Sequence, residues 1–131
     1  MFLRILHMEF IPYNSRLSYH KSPFGAIREG EEVVFRIVLP RSICCTGANL
    51  VVADDGGNTQ TFSMMWDGME GFNEEWWRVA FTPEKEGLYW YHFSLAEKNG
   101  GKIITKFENS TGRLSSDGAE FQLTVYSRDF R

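Results

Sequence analysis

Cysteine is nearly absent from this chain. Its 2 cysteines, Cys44 and Cys45, are adjacent. Neighbouring residues do not readily meet disulfide geometry, so both read as reduced thiols. No CxxC pair or Cys/His metal spacing is present, which removes the common cysteine-based metal sites. An excess of basic charge is missing too. The 14 Lys and Arg are outnumbered by 17 Asp and Glu, for a net charge of -3. No basic stripe marks a nucleic-acid surface, and no polybasic segment marks a membrane surface. Long apolar runs are lacking. The stretch from Met1 to Met8 is interrupted by Arg4 and His7. It is too short for a signal h-region, has no small-residue cleavage site, and no run is long enough to span a bilayer. Reduced thiols without a signal point to a cytoplasmic setting. No segment carries the 3.6-residue apolar period of an amphipathic helix. With only 4 prolines in the chain, Pro12, Pro23, Pro40 and Pro83 each act as punctuation.

Aromatic residues are plentiful: 11 Phe, 5 Tyr and 4 Trp, 15% of the chain. Such side chains suit pleated, half-buried surfaces and favour an all-β fold. The chain centres on Thr82 to Leu95. Pro83 and Gly87 allow a reversal there. A strand then places Tyr89, Tyr91, Phe93 and Leu95 on a core face and Leu88, Trp90, His92 and Ser94 on a wetter one. The same alternation puts Val33, Phe35, Ile37 and Leu39 inward on a strand from Glu31 to Leu39. It does so for Trp77, Val79 and Phe81 on a strand from Glu75 to Thr82, and for Phe121, Leu123 and Val125 near the end. Further strands are expected at Phe2–Phe10, Ala48–Ala53, Thr59–Trp66 and Lys102–Phe107. Asp54-Asp55-Gly56-Gly57-Asn58 is a hairpin turn signal. Ile11–Phe24 reads as irregular, Asn99-Gly100-Gly101 as a turn, and Asp67–Glu74 and Glu108–Gly118 as loops. About eight strands at this spacing predict an immunoglobulin-like β-sandwich of seven to nine antiparallel strands. Inward rings from Phe35, Trp77, Tyr91 and Phe121 would join its two sheets.

Three stretches together carry a family resemblance. Tyr19-His20-Lys21-Ser22-Pro23-Phe24-Gly25-Ala26-Ile27 resembles a Y-x-x-S-P-F-G-A opening. Phe81-Thr82-Pro83 through Phe93 resembles an F-x-P-x-x-x-G-x-Y-x-Y-x-F strand pair. Leu123–Arg131 resembles a linker into a catalytic barrel. All three belong to N-terminal immunoglobulin-like domains of glycoside hydrolase family 13, the α-amylase, pullulanase and neopullulanase type. The resemblance spans Tyr13 to Arg131. It implies an accessory domain over residues 1–126 and, at 127–131, the start of a linker to a barrel that this chain does not contain. The family's chemistry sits on that barrel, so no catalytic residue carries over. The implied partners are an α-glucan oligosaccharide, the protein's own catalytic barrel and a homodimer mate, with no cofactor. A free-standing glucan-binding regulatory module and a protein-binding sandwich remain alternatives.

Individual residues add local candidates. Glycoside hydrolysis needs two carboxylates flanking one bond. Asp54 and Asp55 lie in the hairpin turn, where Asp serves local hydrogen bonds, and Glu74 and Glu75 begin a strand as solvated groups. The turn's oxygens could hold Ca²⁺ but lack EF-hand spacing, and the turn accounts for them without a metal. His7, His20 and His92 stand in no nucleophile or ligand motif. A tryptophan face can stack on the C–H face of a sugar. Trp66, Trp76, Trp90 and His92 are therefore the carbohydrate-binding candidates, with Arg78 and Asp67 as neighbouring hydrogen-bond partners. The competing assignment is that these rings pack under loops, against the barrel or against a second subunit. If the strands bearing Trp76 and Trp90 fall in opposite sheets, those two rings cannot form one platform. Phe24 is expected to plug the sandwich edge, Gly25 to serve a turn, and Lys21 and Arg28 to be solvated.

Overall fold

The computed structural model describes residues 11–97, 100–108, 110–115 and 118–128. The strand expected at Phe2–Phe10, Asn99 of the expected turn, and the end of the linker-like tail lie outside them. The elements run β1 (Tyr13–Asn14), β2 (Lys21–Ser22), β3 (Ile27–Arg28), β4 (Val33–Pro40), a 3-10 turn (Arg41–Ile43), β5 (Cys45–Asp54), β6 (Thr59–Ser63), β7 (Met65–Glu70), β8 (Glu74–Phe81), β9 (Gly87–Glu97), β10 (Gly100–Glu108), β11 (Thr111–Ser115) and β12 (Phe121–Tyr126). The fold is an all-β immunoglobulin-like sandwich, as the alternating aromatic strands predict.

One sheet has 8 strands and the other 4. In the larger, β9 is central. One of its edges pairs with β5 from Tyr89 to Glu97. The other edge is shared, with β12 along Gly87–Tyr91 and β10 along Phe93–Glu97. The smaller sheet runs β2-β4-β8-β7. Among the described residues β6 pairs only with β5 and β7 only with β8, so each ends its sheet.

The core forms where the two inner faces meet. Phe35 and Tyr91, from opposite sheets, have ring centroids 4.8 Å apart, and Tyr91 stacks on Phe121 at 5.2 Å. Trp77 and Phe81 complete the smaller sheet's contribution, and Leu50, Phe93 and Leu95 the larger's. Each fully buried side chain of this size contributes roughly 1.5–3 kcal/mol relative to exposure. Tyr13 reaches the same core from the start of the described chain. It lies 4.9 Å from both Phe93 and Phe121, and its hydroxyl meets that of Tyr91 at 2.7 Å. The turn after Phe81 carries the chain from one sheet to the other, with Gly87 at φ +139° beginning β9.

Four local expectations are corrected. The single strand read over Thr59–Trp66 is two, β6 and β7, in different sheets. The break is at Met64, which is buried and donates its N–H to the Ala48 carbonyl at 2.8 Å while the chain crosses. Strand-forming residues continue through the crossing, so composition hides it. Asp67–Glu74 is not wholly a loop, because β7 extends to Glu70. A bulge between Trp66 and Met69, with Gly68 at φ +99°, produces the loop-like composition. Glu108–Gly118 contains β11, whose polar Thr-Gly-Arg-Leu-Ser hides a strand. Gly112 of that strand sits so close to its neighbours that a Cβ there would lie 2.8 Å from Ile104 and 2.9 Å from Phe121. The segment Ile11–Phe24, read as irregular, also contributes β1 and β2.

Candidate functional site

Trp90 and Trp76 lie on the outer faces of the two sheets, whereas Trp66 shares the inner face with Trp77 at the exposed β7 edge. On the larger sheet, strand alternation turns Trp90 and His92 away from the core, between buried Tyr91 and Phe93. Trp90 sits opposite Ala53 of β5 and Gln122 of β12. The indole is half-buried there, and among the described residues its N–H engages no partner. His92 bonds the Glu120 carboxylate through Nδ1 at 2.8 Å. One surface thus holds an aromatic face, an imidazole–carboxylate pair and the exposed amide of Gln122.

On the smaller sheet, Trp76 donates its indole N–H to Glu70 at 2.9 Å and packs its ring 5.3 Å from that of His20. His20 is buried between Trp76 and Tyr13, with its Nδ1 2.9 Å from the Arg36 carbonyl. Burial pulls the His20 pKa below its ordinary value, against the opposing effect of that backbone bond. Trp66 is 55% exposed on β7, opposite Trp77. Asp67 is paired with Arg36 at 3.2 Å, and Arg78 is exposed opposite Met65. The strands of Trp76 and Trp90 are in opposite sheets. Those two rings are therefore separated by the thickness of the sandwich and cannot share a sugar. Trp66 and Trp76 are on neighbouring strands, as Trp90 and His92 are on one.

Of the acidic residues weighed for hydrolysis, Glu75 is not simply solvated, because it accepts the Trp77 indole N–H at 3.1 Å. Asp54 accepts from the backbone of Gly56 and Asn58, both at 2.9 Å, and from the Asn58 amide at 3.2 Å. These bonds, those from Asn58 foremost, hold its carboxyl below the usual range. Among the described residues no group of three His, Cys, Asp or Glu is placed to hold a metal ion.

Two expectations around Ser22-Pro23-Phe24 are overturned. Lys21 is not solvated: it is 4% exposed, and its Nζ donates to the carbonyls of Pro23 at 3.0 Å and Gly25 at 2.7 Å. The physical reason is that β2 pairs with β4 opposite buried Phe35, which carries the Lys21 stem inside while the loop beyond it folds back over the amine. Phe24 does not plug the edge. It is 69% exposed at the tip of that loop, over an open cavity and not in the core. Gly25 serves the turn at φ +75° and Arg28 is exposed, as expected. The Tyr13–Tyr91 pair, the Glu120 partner of His92 and the burial of Lys21 were all missed at the level of sequence. Only the strand alternation that turns Tyr91 inward hints at the first.

Fold and surface together define a β-sandwich module with a tryptophan on each outer face. No protein-family model matches the chain. It is similar to a segment of an amylopullulanase of Thermoanaerobacterium saccharolyticum, with 25% identity over 95% of this chain and 10% of that protein. Its fold is similar to part of a cyclomaltodextrinase structure, with a TM-score of 0.61 and 16% identity over 95% of this chain and 20% of that one. Both are enzymes of the type that the sequence motifs resemble, and the chain spans only a small part of either.

Proposed function

We propose that this domain is a non-catalytic accessory module of an α-glucan hydrolase of the α-amylase type, joined through residues 127–131 to a catalytic barrel. One observation carries this: nearly the whole chain aligns with a tenth of one such enzyme and a fifth of another. That is the relation of one module to a multidomain enzyme. The purified chain is expected to release no reducing ends from soluble starch, and cleavage by the chain alone would overturn the assignment.

Within that role, the outer face of the larger sheet is the surface best suited to a glucan. Trp90 offers a half-exposed ring and a free N–H, beside Glu120, His92 and Gln122. Such a face stacks on the apolar side of a glucosyl ring while polar neighbours meet its hydroxyls. Trp76 is a packing residue by contrast, its N–H and ring already engaged. Maltoheptaose should change tryptophan emission in the native chain and in a Trp76→Ala variant, but not in Trp90→Ala. An unchanged spectrum of the native chain at millimolar sugar removes the glucan site.

A protein-contact role is favoured at β7. Met65, Trp66, Met69 and Phe72 are 72%, 55%, 40% and 94% exposed along one sheet edge and its turn. Several large apolar side chains exposed at one edge mark an interaction surface. It suits the barrel or a second subunit better than a sugar.

A further inference from the structure

Opposite the β6–β7 edge, a cavity of about 370 Å³ lies beneath the 22–26 loop, in the range of small-molecule sites. Its lining carries two cations, Arg16 and Lys21, with hydroxyls from Ser15, Ser110 and Thr124 and the amide of Gln122. Among the described residues no carboxylate lines it, although acidic residues outnumber basic ones in the chain. Lys21 is the distinctive member. It is 96% withdrawn from solvent, and among the described residues it has no ionic partner: the two acceptors recorded for its amine are backbone carbonyls. They use two of the three ammonium hydrogens. A buried cation without a counter-charge is costly, and an anion beside it removes that cost. Burial accordingly pulls the amine down to about 8.

We infer that this cavity receives a phosphate-class oxyanion, either free or carried on a sugar. Lys21 supplies a largely desolvated positive charge from below and Arg16 an exposed one from the rim, while hydroxyls and the amide satisfy remaining oxygens. Arginine and lysine with neutral donors, and no competing carboxylate, is the donor set that phosphate recognition requires.

The test is amide NMR of the 131-residue chain titrated with inorganic phosphate, with glucose 6-phosphate, and with maltose as neutral control. Phosphate or glucose 6-phosphate should shift the amides of Ser15, Gly25 and Ala26 in a saturable way, and the stronger of the two identifies the source. Arg16 is exposed, so Arg16→Ala should remain folded and bind about tenfold more weakly, as expected for one lost charge-assisted contact. Lys21→Gln should lose saturable binding. Shifts that are absent at these amides, that persist unchanged in Arg16→Ala, or that maltose reproduces would overturn the inference. Maltoheptaose is read by Trp90 emission and phosphate at the amides of Ser15, Gly25 and Ala26, so the two readouts are scored separately although Gln122 borders both sites.

Discussion

The hydroxyls of Tyr13 and Tyr91 form a small polar contact in the middle of an aromatic core. The residues are 0% and 1% exposed and the oxygens 2.7 Å apart. Replacing either Tyr by Phe deletes one oxygen and leaves the other without its partner. A buried polar group stranded in this way costs about 1–3 kcal/mol. The two costs should differ. Tyr91 lines the cavity under the 22–26 loop, where water is within reach, and Tyr13 does not. Tyr91→Phe, which strands Tyr13, is therefore expected near the top of that range and Tyr13→Phe near the bottom. The double variant removes both oxygens together and should cost less than the sum of the single changes, by about 1 kcal/mol of coupling. Urea unfolding followed by tryptophan emission gives all three values, with an unchanged urea slope showing that the folded and unfolded states are preserved. Alkaline pH supplies an independent reading. Burial raises both phenols above their ordinary value of 10. Above pH 10 the unfolded chain therefore loses protons that the folded chain keeps, and stability falls. The limiting slope is about 1.4 kcal/mol per pH unit for each tyrosine. The double Phe variant should lack this component. Strictly additive single costs, or an equally steep alkaline decline in the double variant, would refute the buried pair.

Lys21 should act in the opposite direction at lower pH. Its folded value near 8 lies below the ordinary 10.5, so between these limits the unfolded chain holds the extra proton. Stability should rise with pH across that window relative to Lys21→Met, by less than about 1.4 kcal/mol per unit because the amine keeps some solvent screening. Matched pH series of thermal melts would show it, and parallel curves would place the amine in solvent. Gly112→Ala should destabilise by about 1–3 kcal/mol, the usual cost of overpacking, because its Cβ would press on Ile104 and Phe121. A neutral result in urea would mean that β11 can move away from β10 without loss.

Much of the sandwich was readable before any coordinates. Phe35 and Ile37, Trp77 and Val79, and Tyr91 and Phe93 alternate with polar or smaller residues. A period of two admits one inner face for each strand. Turn chemistry at Asp54–Asn58 was equally plain, because Asp and Asn make their bonds locally. The misses share a different cause: each depends on where distant segments meet. Met64 resembles any strand residue, and only the buried position it occupies between two sheets reveals the crossing. β11 is too polar to announce itself, being half-covered by β10 and pinned at Gly112 by packing. Lys21 carries a side chain that is usually solvated, and it is buried because its strand neighbour Phe35 belongs to the core. The tryptophans were found by type, but their exposure was not legible. Strand alternation turns both Trp76 and Trp90 outward, and only the third dimension gives Trp76 the Glu70 carboxylate and the His20 ring.

The switch of sheets at Met64 has a consequence for the domain when it stands alone. Among the described residues it leaves two strand borders without a further partner, β6 and β7, each a template onto which a foreign strand could grow. Hydroxyl-bearing residues on β6 and the kink at Asp67–Gly68 on β7 spoil the regular spacing that such growth needs. A bulge that looks like an imperfection in pairing thus works as a gatekeeper against fibrous self-assembly. Straightening it by removing one residue should make the module more prone to self-association.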